Sequence, residues 1–436
     1  MKRMVAVLIS IMICMPLFSR SRKGPLTVLA ADGTTLAVLS SSEDAAAHPA
    51  ADYLEEVLAE AASVLAQKNK WDQARAAEAL MTNAYTVKTA YSREVSEALA
   101  AALSEERISA GAAVTDLEGG VLAVLSVGDR NYALLPTSPY SAIKPLTVYG
   151  PAMEAGRICW SSLYEDAPVK QVKDGSGIPR PWPYNANQFY TLRKMDMADA
   201  LKRSLNTIAV RVAMDYGIMN SLTFLRDRFG VQPEYEWRKV NEQGEEEILA
   251  NVALGYLYEG FSPLRMAGFY QCFAARGVYT VPAAIREIFA ADGSTVYQRR
   301  PQTIQTFSPE TACVMNHLLR EVTSPDGTGA KAALPDIPTA GKTGTGDRGA
   351  WFVGVTPAYS CAIWHGAESA TNHAPEIFAR AVGAFPASEK TEFPEEKTVM
   401  RIPYCPESGG RYSNGCGKMK EGYFTADPGP CTVHGA

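Results

Sequence analysis

Apolar residues recur three and four apart through the alanine-rich stretch 45–67, where Leu54, Val57, Leu58, Ala61 and Leu65 share a face, and this spacing predicts a helix. A second helix follows Ser92, a suitable N-cap, and aligns Val95, Leu99 and Leu103. Elsewhere the pattern shortens to strand length. LTVLAADGTTLAVL (26–39) reads as two strands about Asp32-Gly33. AGAAVTDLEGGVLAVLSVG (110–128) joins two apolar runs through Glu118-Gly119-Gly120, a hairpin expected near the centre of a sheet. One loop later a helix is predicted from Ser141, with Gly156 closing it. Residues 175–187 (GSGIPRPWPYNAN) form a loop, and 197–217 is helical on both sides of Ser204-Leu205-Asn206. Residues 251–277 are helical with a break at Ser262-Pro263, Asp292-Gly293 marks a hairpin, and 309–319 is a helix. A turn-rich loop (TSPDGTG, 323–329) precedes three strands, at 342–345, 351–355 and 359–364. Strands at both ends with helices between them argue for an α+β fold rather than a parallel α/β sheet.

The 436 residues are enough for one large domain with accessories. A net charge of −5 and the lack of any basic block give no reason to expect nucleic acid. At the N-terminus Lys2 and Arg3 precede a largely apolar run at 4–18, and Arg20, Arg22 and Lys23 follow it. That length suits a signal h-region. We expect it to be retained as a membrane anchor, with a cleaved signal peptide as the alternative. Either way the remainder is exported, on the extracytoplasmic side of the cell membrane. A charged linker (EKTEFPEEK, 389–397) leads to a tail of little periodicity. Of the eight cysteines, Cys405, Cys416 and Cys431 lie in that tail close to His434. They could be a zinc set, but their spacings match no standard pattern. A disulfide within the tail is the preferred expectation for an exported chain. No metal and no cofactor are expected.

Candidate chemistry begins at Ser141-Ala142-Ile143-Lys144, the only Ser-x-x-Lys in the chain. Residues three apart share a helix face, so the lysine can reach the hydroxyl. Serine becomes a useful nucleophile only when a base takes its proton. Lysine can do so only if burial or a second cation brings it well below about 10.4. Ser204-Leu205-Asn206 is the only Ser-x-Asn, and Lys342-Thr343-Gly344 the only Lys-Thr-Gly. On a regular helix Ser204 and Asn206 would point to different sides. A turn there would let both face one cleft, whereas Asn206 as a helix cap would be purely structural.

These three motifs, in this order, are those of penicillin-binding proteins and serine β-lactamases. The chain resembles the penicillin-binding protein transpeptidases, most closely the transpeptidase half of class A. The likeness extends through IKPLTVYGPAMEAG, ADALKRSLNTIAV, ALGYLYEGFSPLRMAGFYQCFAARGVYTVPAAI, TAGKTGT and WFVGVTPAYSCAIWHG, and includes the cysteine and histidine tail. It implies an antiparallel sheet flanked by helices with a helical subdomain. The expected organisation is a signal or anchor at 1–24, a linker region at 25–90, the transpeptidase domain at 91–385, and a linker and tail at 386–436.

The resemblance also implies roles. Ser141 is the nucleophile, Lys144 its base, Ser204 a proton relay and Asn206 a holder of the substrate amide. Lys342, Thr343 and Thr345 bind a terminal carboxylate, and Gly344 keeps a side chain out of the cleft. The implied activity is a D,D-transpeptidase that takes peptidoglycan stem peptides ending in D-Ala-D-Ala and is acylated by β-lactams. Alternatives are a D,D-carboxypeptidase or β-lactamase-type hydrolase, or a non-catalytic penicillin-binding scaffold. Three departures stand out. Tyr140 occupies the place before the nucleophile where the family usually has glycine, and Gly349 stands where aspartate is frequent. The glycosyltransferase domain of class A is not expected, so the implied partner is a separate glycan polymerase.

Overall fold

The computed structural model describes residues 23–367 and 371–435. The expected signal or anchor therefore lies outside the described residues, but for its last two. Among the described residues no helix is long and apolar enough to cross a membrane. The chain divides into two compact units, one running to Thr89 and including Ile285–Arg299, the other made of Ala90–Ala284 and the chain from Arg300 onward.

In the first unit a five-stranded sheet runs in the order Thr295–Gln298, Ile285–Phe289, Thr86–Thr89, Leu26–Leu29, Thr35–Leu39. The helix predicted at 45–67 is two, Ser42–Ala46 and Ala51–Asn69. Pro49 lies in the break, where it can neither donate to a preceding turn nor leave His48 an easy helical conformation. Tyr53, Leu54, Val57, Ala61 and Leu65 are fully buried. Residues 25–90 are thus not a linker region. An apolar helical stripe needs a surface to bury against, and here the unit's sheet takes two of its strands from some 200 residues further along the chain.

The second unit opens with α1 (Arg93–Leu103) and the hairpin β1 (Ala110–Asp116) and β2 (Val121–Val127). Its helical middle includes α2 (Met197–Lys202), α3 (Asn206–Tyr216), α4 (Glu245–Leu254), α5 (Pro263–Ala274) and α6 (Pro309–Thr323). The strands β3 (Ala340–Gly346), β4 (Gly349–Val355) and β5 (Tyr359–Gly366) follow, then α7 (Ala374–Val382) and a tail hairpin, β6 (Met400–Tyr404) with β7 (Lys420–Phe424). The main sheet is wholly antiparallel in the order β3-β4-β5-β1-β2, so β1 is internal and β2 is an edge.

Alternate residues of these strands face two cores, as the pleat requires. Phe352 and Ile363 pack with Val95, Leu99 and Phe378 of α1 and α7. Trp351, Val353 and Ala362 pack on the other side with the helical middle. Helices cover both faces, which is why these strands read as nearly unbroken apolar runs. The result is the α+β architecture expected.

The expected tail disulfide does not form. All seven described cysteines are free, and the sulfurs of Cys405, Cys416 and Cys431 gather with a ring nitrogen of His434 within 4.8 Å of one another. A disulfide would draw two of these sulfurs to about 2.05 Å and leave the third alone.

Candidate active site

Ser141 sits in a 3₁₀ turn (Tyr140–Ile143) that passes through Lys144 into a π-helical turn (Pro145–Tyr149) and an α-helical turn (Gly150–Glu154). Pro145 has no N–H to give the preceding turn, and the Gly150 N–H reaches five residues back to its carbonyl. Gly156, at φ +64°, ends the segment just where the sequence predicts.

The residue before Ser141 explains the first departure from the family pattern. Tyr140 has φ +48°, in the left-handed region where glycine is unstrained. Tyrosine there costs about 1–3 kcal/mol unless its surroundings hold it. They do so on several sides. Its N–H donates to Gly255 O at 3.0 Å. Its hydroxyl donates to Asp347 at 2.9 Å and accepts from the Arg348 N–H at 3.1 Å. Its ring meets Tyr256 edge-on at 5.3 Å. A Cβ on Gly346 would come within 2.1 Å of that ring, so the glycine at the end of β3 makes its seat. Burial, and the Asp347 carboxylate, push the phenol up to about 12, and it stays a donor.

Lys144 and Lys342 are both fully buried, and among the described residues neither has a carboxylate partner. Lys144 Nζ lies 2.7 Å from Asn206 Oδ1 and 3.0 Å from the Ser204 carbonyl. Lys342 Nζ lies 2.8 Å from Ser204 Oγ and 3.0 Å from the Thr343 carbonyl. Ser204 therefore touches both lysines, one through its backbone and one through its hydroxyl. Burial first, and then the Lys342 charge, hold Lys144 well below the ordinary lysine range. Burial brings Lys342 down to about 7.

The turn required for Ser204 and Asn206 to face one cleft is present, between α2 and α3, and Ser204 is itself left-handed at φ +57°. Asn206 is not a helix cap. Its own N–H is taken by Asn185 Oδ1 at 2.8 Å, while its side-chain amide donates to the Tyr184 carbonyl at 2.6 Å. Asn185 is anchored in turn on Asp166 at 2.7 Å, as is Thr207 at 2.6 Å.

On the opposite wall, β3 is the open edge of the sheet and presses against the Ser141 turn. A Cβ at Gly344 would meet Pro139 O at 2.4 Å and Ala142 N at 3.0 Å, so glycine is needed for close approach of two backbones. Thr343 Oγ1 accepts or donates a 2.9 Å hydrogen bond with Thr328 Oγ1, and the exposed Thr345 lies 3.3 Å from Asn372 Nδ2. Gly349, the second departure, has no room for aspartate, because a Cβ would sit 2.4 Å from His365 O.

A cleft of about 550 Å³ brings Ser141, Ser204, Asn206, Thr343 and Thr345 to one surface. Lys144 and Lys342 lie buried beneath it. Tyr184, Asn185, Arg203, Tyr256, Thr328 and Asn372 also line it and escape the motif reading. The asparagines of the 175–187 loop and the turn signal at 323–329 are the only hints of two of these groups in the sequence.

A protein-family model described as the penicillin binding protein transpeptidase domain matches residues 97–374. Penicillin-binding protein 1A of Clostridium botulinum (strain Hall) is 30% identical over 236 residues, covering 53% of this chain and 27% of that protein. Penicillin-binding protein 1F of Bacillus subtilis (strain 168) is 30% identical over 313 residues, covering 66% of this chain and 40% of that protein. The chain thus spans well under half the length of these curated relatives. Among solved structures, penicillin-binding protein 1A of Haemophilus influenzae has a TM-score of 0.69 at 14% identity, over 94% of this chain and 98% of that one. The D,D-transpeptidase domain of a peptidoglycan glycosyltransferase from Eggerthella lenta gives 0.63 at 19%, over 84% and 98%. Both share this fold.

Proposed function

Because this chain belongs to the penicillin-binding protein transpeptidase family, we propose that it is a serine D,D-transpeptidase that cross-links peptidoglycan stem peptides. The observation that carries the reading is the pair of buried lysines, without carboxylate partners among the described residues, joined through Ser204 beneath a cleft with Ser141 at its surface.

A stem peptide ending in D-Ala-D-Ala lies along the open edge of β3, adding to the sheet as an extended strand. Thr343 and Thr345 bind its terminal carboxylate, with Lys342 supplying charge. Lys144, its own protonation disfavoured by burial and by Lys342, takes the proton of Ser141 as the oxygen attacks the penultimate D-Ala carbonyl. The N–H groups of Ser141 and Thr345 stabilise the developing oxyanion, an effect worth about 3 kcal/mol per donor. Ser204 hands its hydroxyl proton to the departing D-Ala nitrogen and is resupplied by Lys342, whose ammonium donates to Ser204 Oγ. The acyl ester on Ser141 then passes to an amine of a neighbouring stem, which forms the cross-link and frees the serine. β-Lactams enter the same route as carboxylate-bearing acyl donors. The basic-apolar-basic start of the chain supports a membrane-attached enzyme acting on the extracytoplasmic side.

The test is labelling with a fluorescent β-lactam, followed by product analysis with nascent peptidoglycan. The expected result is a slowly released adduct on the Ser141 peptide and cross-linked dimers. An adduct on another residue, or trimmed tetrapeptides alone, overturns the assignment.

A further inference from the structure

The tail carries a four-sided cluster that the proposed chemistry does not use. The thiols of Cys405, Cys416 and Cys431 are buried, and with His434 they place four ligand atoms within 4.8 Å of one another. His434 Nδ1 lies 3.4 Å from Cys405 Sγ and 3.5 Å from Cys431 Sγ. A tetrahedral zinc with bonds of about 2.3 Å to sulfur and about 2.0–2.1 Å to nitrogen sets the sulfur–nitrogen edge at about 3.5 Å. The observed separations are those of ligands around a shared centre.

The surroundings fit as well. Backbone N–H groups of Ser413 and His434 donate to Cys416 Sγ and Cys431 Sγ, each at 3.4 Å, and Ser408 Oγ donates to Cys431 Sγ at 3.3 Å. Such donors suit thiolates. On the far side of the imidazole, His434 Nε2 is 3.3 Å from a Glu407 carboxylate oxygen. A metal-bound histidine ordinarily offers its other ring nitrogen to such a carboxylate, which fixes the tautomer and orients the ring.

From this geometry we infer that Cys405, Cys416, Cys431 and His434 form a structural Zn²⁺ site. All four positions are filled by protein, so the ion is closed to substrate and its work is to fold the tail. What it holds is visible one residue away. Tyr404, beside Cys405, donates to Asp196 at 2.7 Å, and Lys420 of β7 reaches Asp196 at 2.8 Å and Asp199 at 2.7 Å. Asp196 caps α2, the helix that ends at the Ser204 turn. The zinc knot therefore fastens the tail hairpin to the element that presents Ser204. This inference stands independently of the catalytic reading.

The experiment is metal analysis of the full chain purified without added metal or chelator, with one zinc per chain expected. Chelator-stripped protein given Co²⁺ alone should develop thiolate-to-cobalt charge transfer and tetrahedral d–d bands, which added Zn²⁺ bleaches. Glu407→Gln keeps all four ligands and should weaken zinc affinity about 10–100-fold. Cys431→Ser should lose the ion. If that variant fails to fold, the cobalt spectrum of the wild-type chain still decides. Zinc far below one equivalent together with no cobalt spectrum overturns the site, as does a mapped disulfide between any two of the three cysteines.

Discussion

The six-residue helix α2 separates two lysine environments that could hardly differ more. At its start, Lys420 meets two carboxylates, Asp196 and Asp199, at 2.8 and 2.7 Å. Burial alone would lower it, but those carboxylates win and hold it above the ordinary lysine range. Past its end, Lys144 and Lys342 meet hydroxyl, amide and carbonyl oxygens and, among the described residues, no anion, and both fall. The same side chain is a structural cation on one side and a candidate base on the other. Two things differ: Lys420 is partly exposed while the cleft lysines are fully buried, and only on its side is desolvation answered by opposite charge. An unanswered buried amine is costly to charge, so two of them in one cleft are themselves a functional signal.

The largest expected effect comes from removing a lysine on the unanswered side. Lys144→Ala should slow β-lactam acylation about 10²–10⁴-fold, the usual loss for a positioned base. Its melting temperature should hold or rise, since a desolvated amine has gone. Acylation within a few-fold of wild type, with an unchanged melting curve, would assign the base elsewhere. Lys420→Met is the matching change on the answered side. It leaves the buried Asp196 with only its cap and Tyr404, and hydrogen bonds to charged groups contribute about 1.5–3 kcal/mol. Lys420 is 40% exposed, so the lower end of that range applies. Denaturant unfolding should show the loss, and acylation should change less than in Lys144→Ala. A stable variant with collapsed acylation would break the contrast.

The contrast also predicts how stability moves with pH. Above about 7 the folded Lys342 is losing its proton, while an unfolded lysine keeps its own to about 10.4. The unfolded state then binds more protons, so stability rises with pH. Lys144 acts in the same direction. The slope is at most about 1.4 kcal/mol per pH unit for each lysine. Buried tyrosines such as Tyr140 reverse the trend near 10, where unfolded tyrosine ionises and the folded one does not. Urea midpoints measured from pH 7 to 9.5 should climb in the wild type and climb less in Lys342→Met. Parallel curves would mean that Lys342 stays charged.

How much of this was legible differs between regions for physical reasons. Ser141, Lys144, Ser204, Asn206 and Lys342 are readable because their spacing encodes their meeting, within one turn or across one edge strand. Asn185, Thr328 and Asn372 reach the cleft through loops whose course depends on tertiary contacts, and no local period announces them. Residues 25–90 read as a linker because their sheet is completed by strands near 285–298, a pairing invisible to any local window. The tail misleads for a related cause. Its ligands are 11, 15 and 3 residues apart, so loops rather than spacing bring them together.

Tyr140 supplies the smallest test and the most specific to this chain. The lysines are held in strain by desolvation, whereas Tyr140 is held in backbone strain by its own side chain. Its hydroxyl links the turn before Ser141 to Asp347 and Arg348, just past the end of β3. Tyr140→Phe keeps the ring on Gly346 and removes only that link. A typical hydrogen bond contributes about 0.5–1.5 kcal/mol, so a loss near 1 kcal/mol is expected. Acylation should slow a few-fold as the Ser141 turn loosens against β3. Tyr140→Gly is the control. Truncating a buried aromatic ordinarily costs about 3–5 kcal/mol, but here glycine also relieves about 1–3 kcal/mol of left-handed strain. The glycine variant should therefore be destabilised by clearly less than an ordinary aromatic truncation. A full 3–5 kcal/mol loss in chemical denaturation would show that the φ of +48° carries no strain, and that the ring contacts alone account for tyrosine at this position.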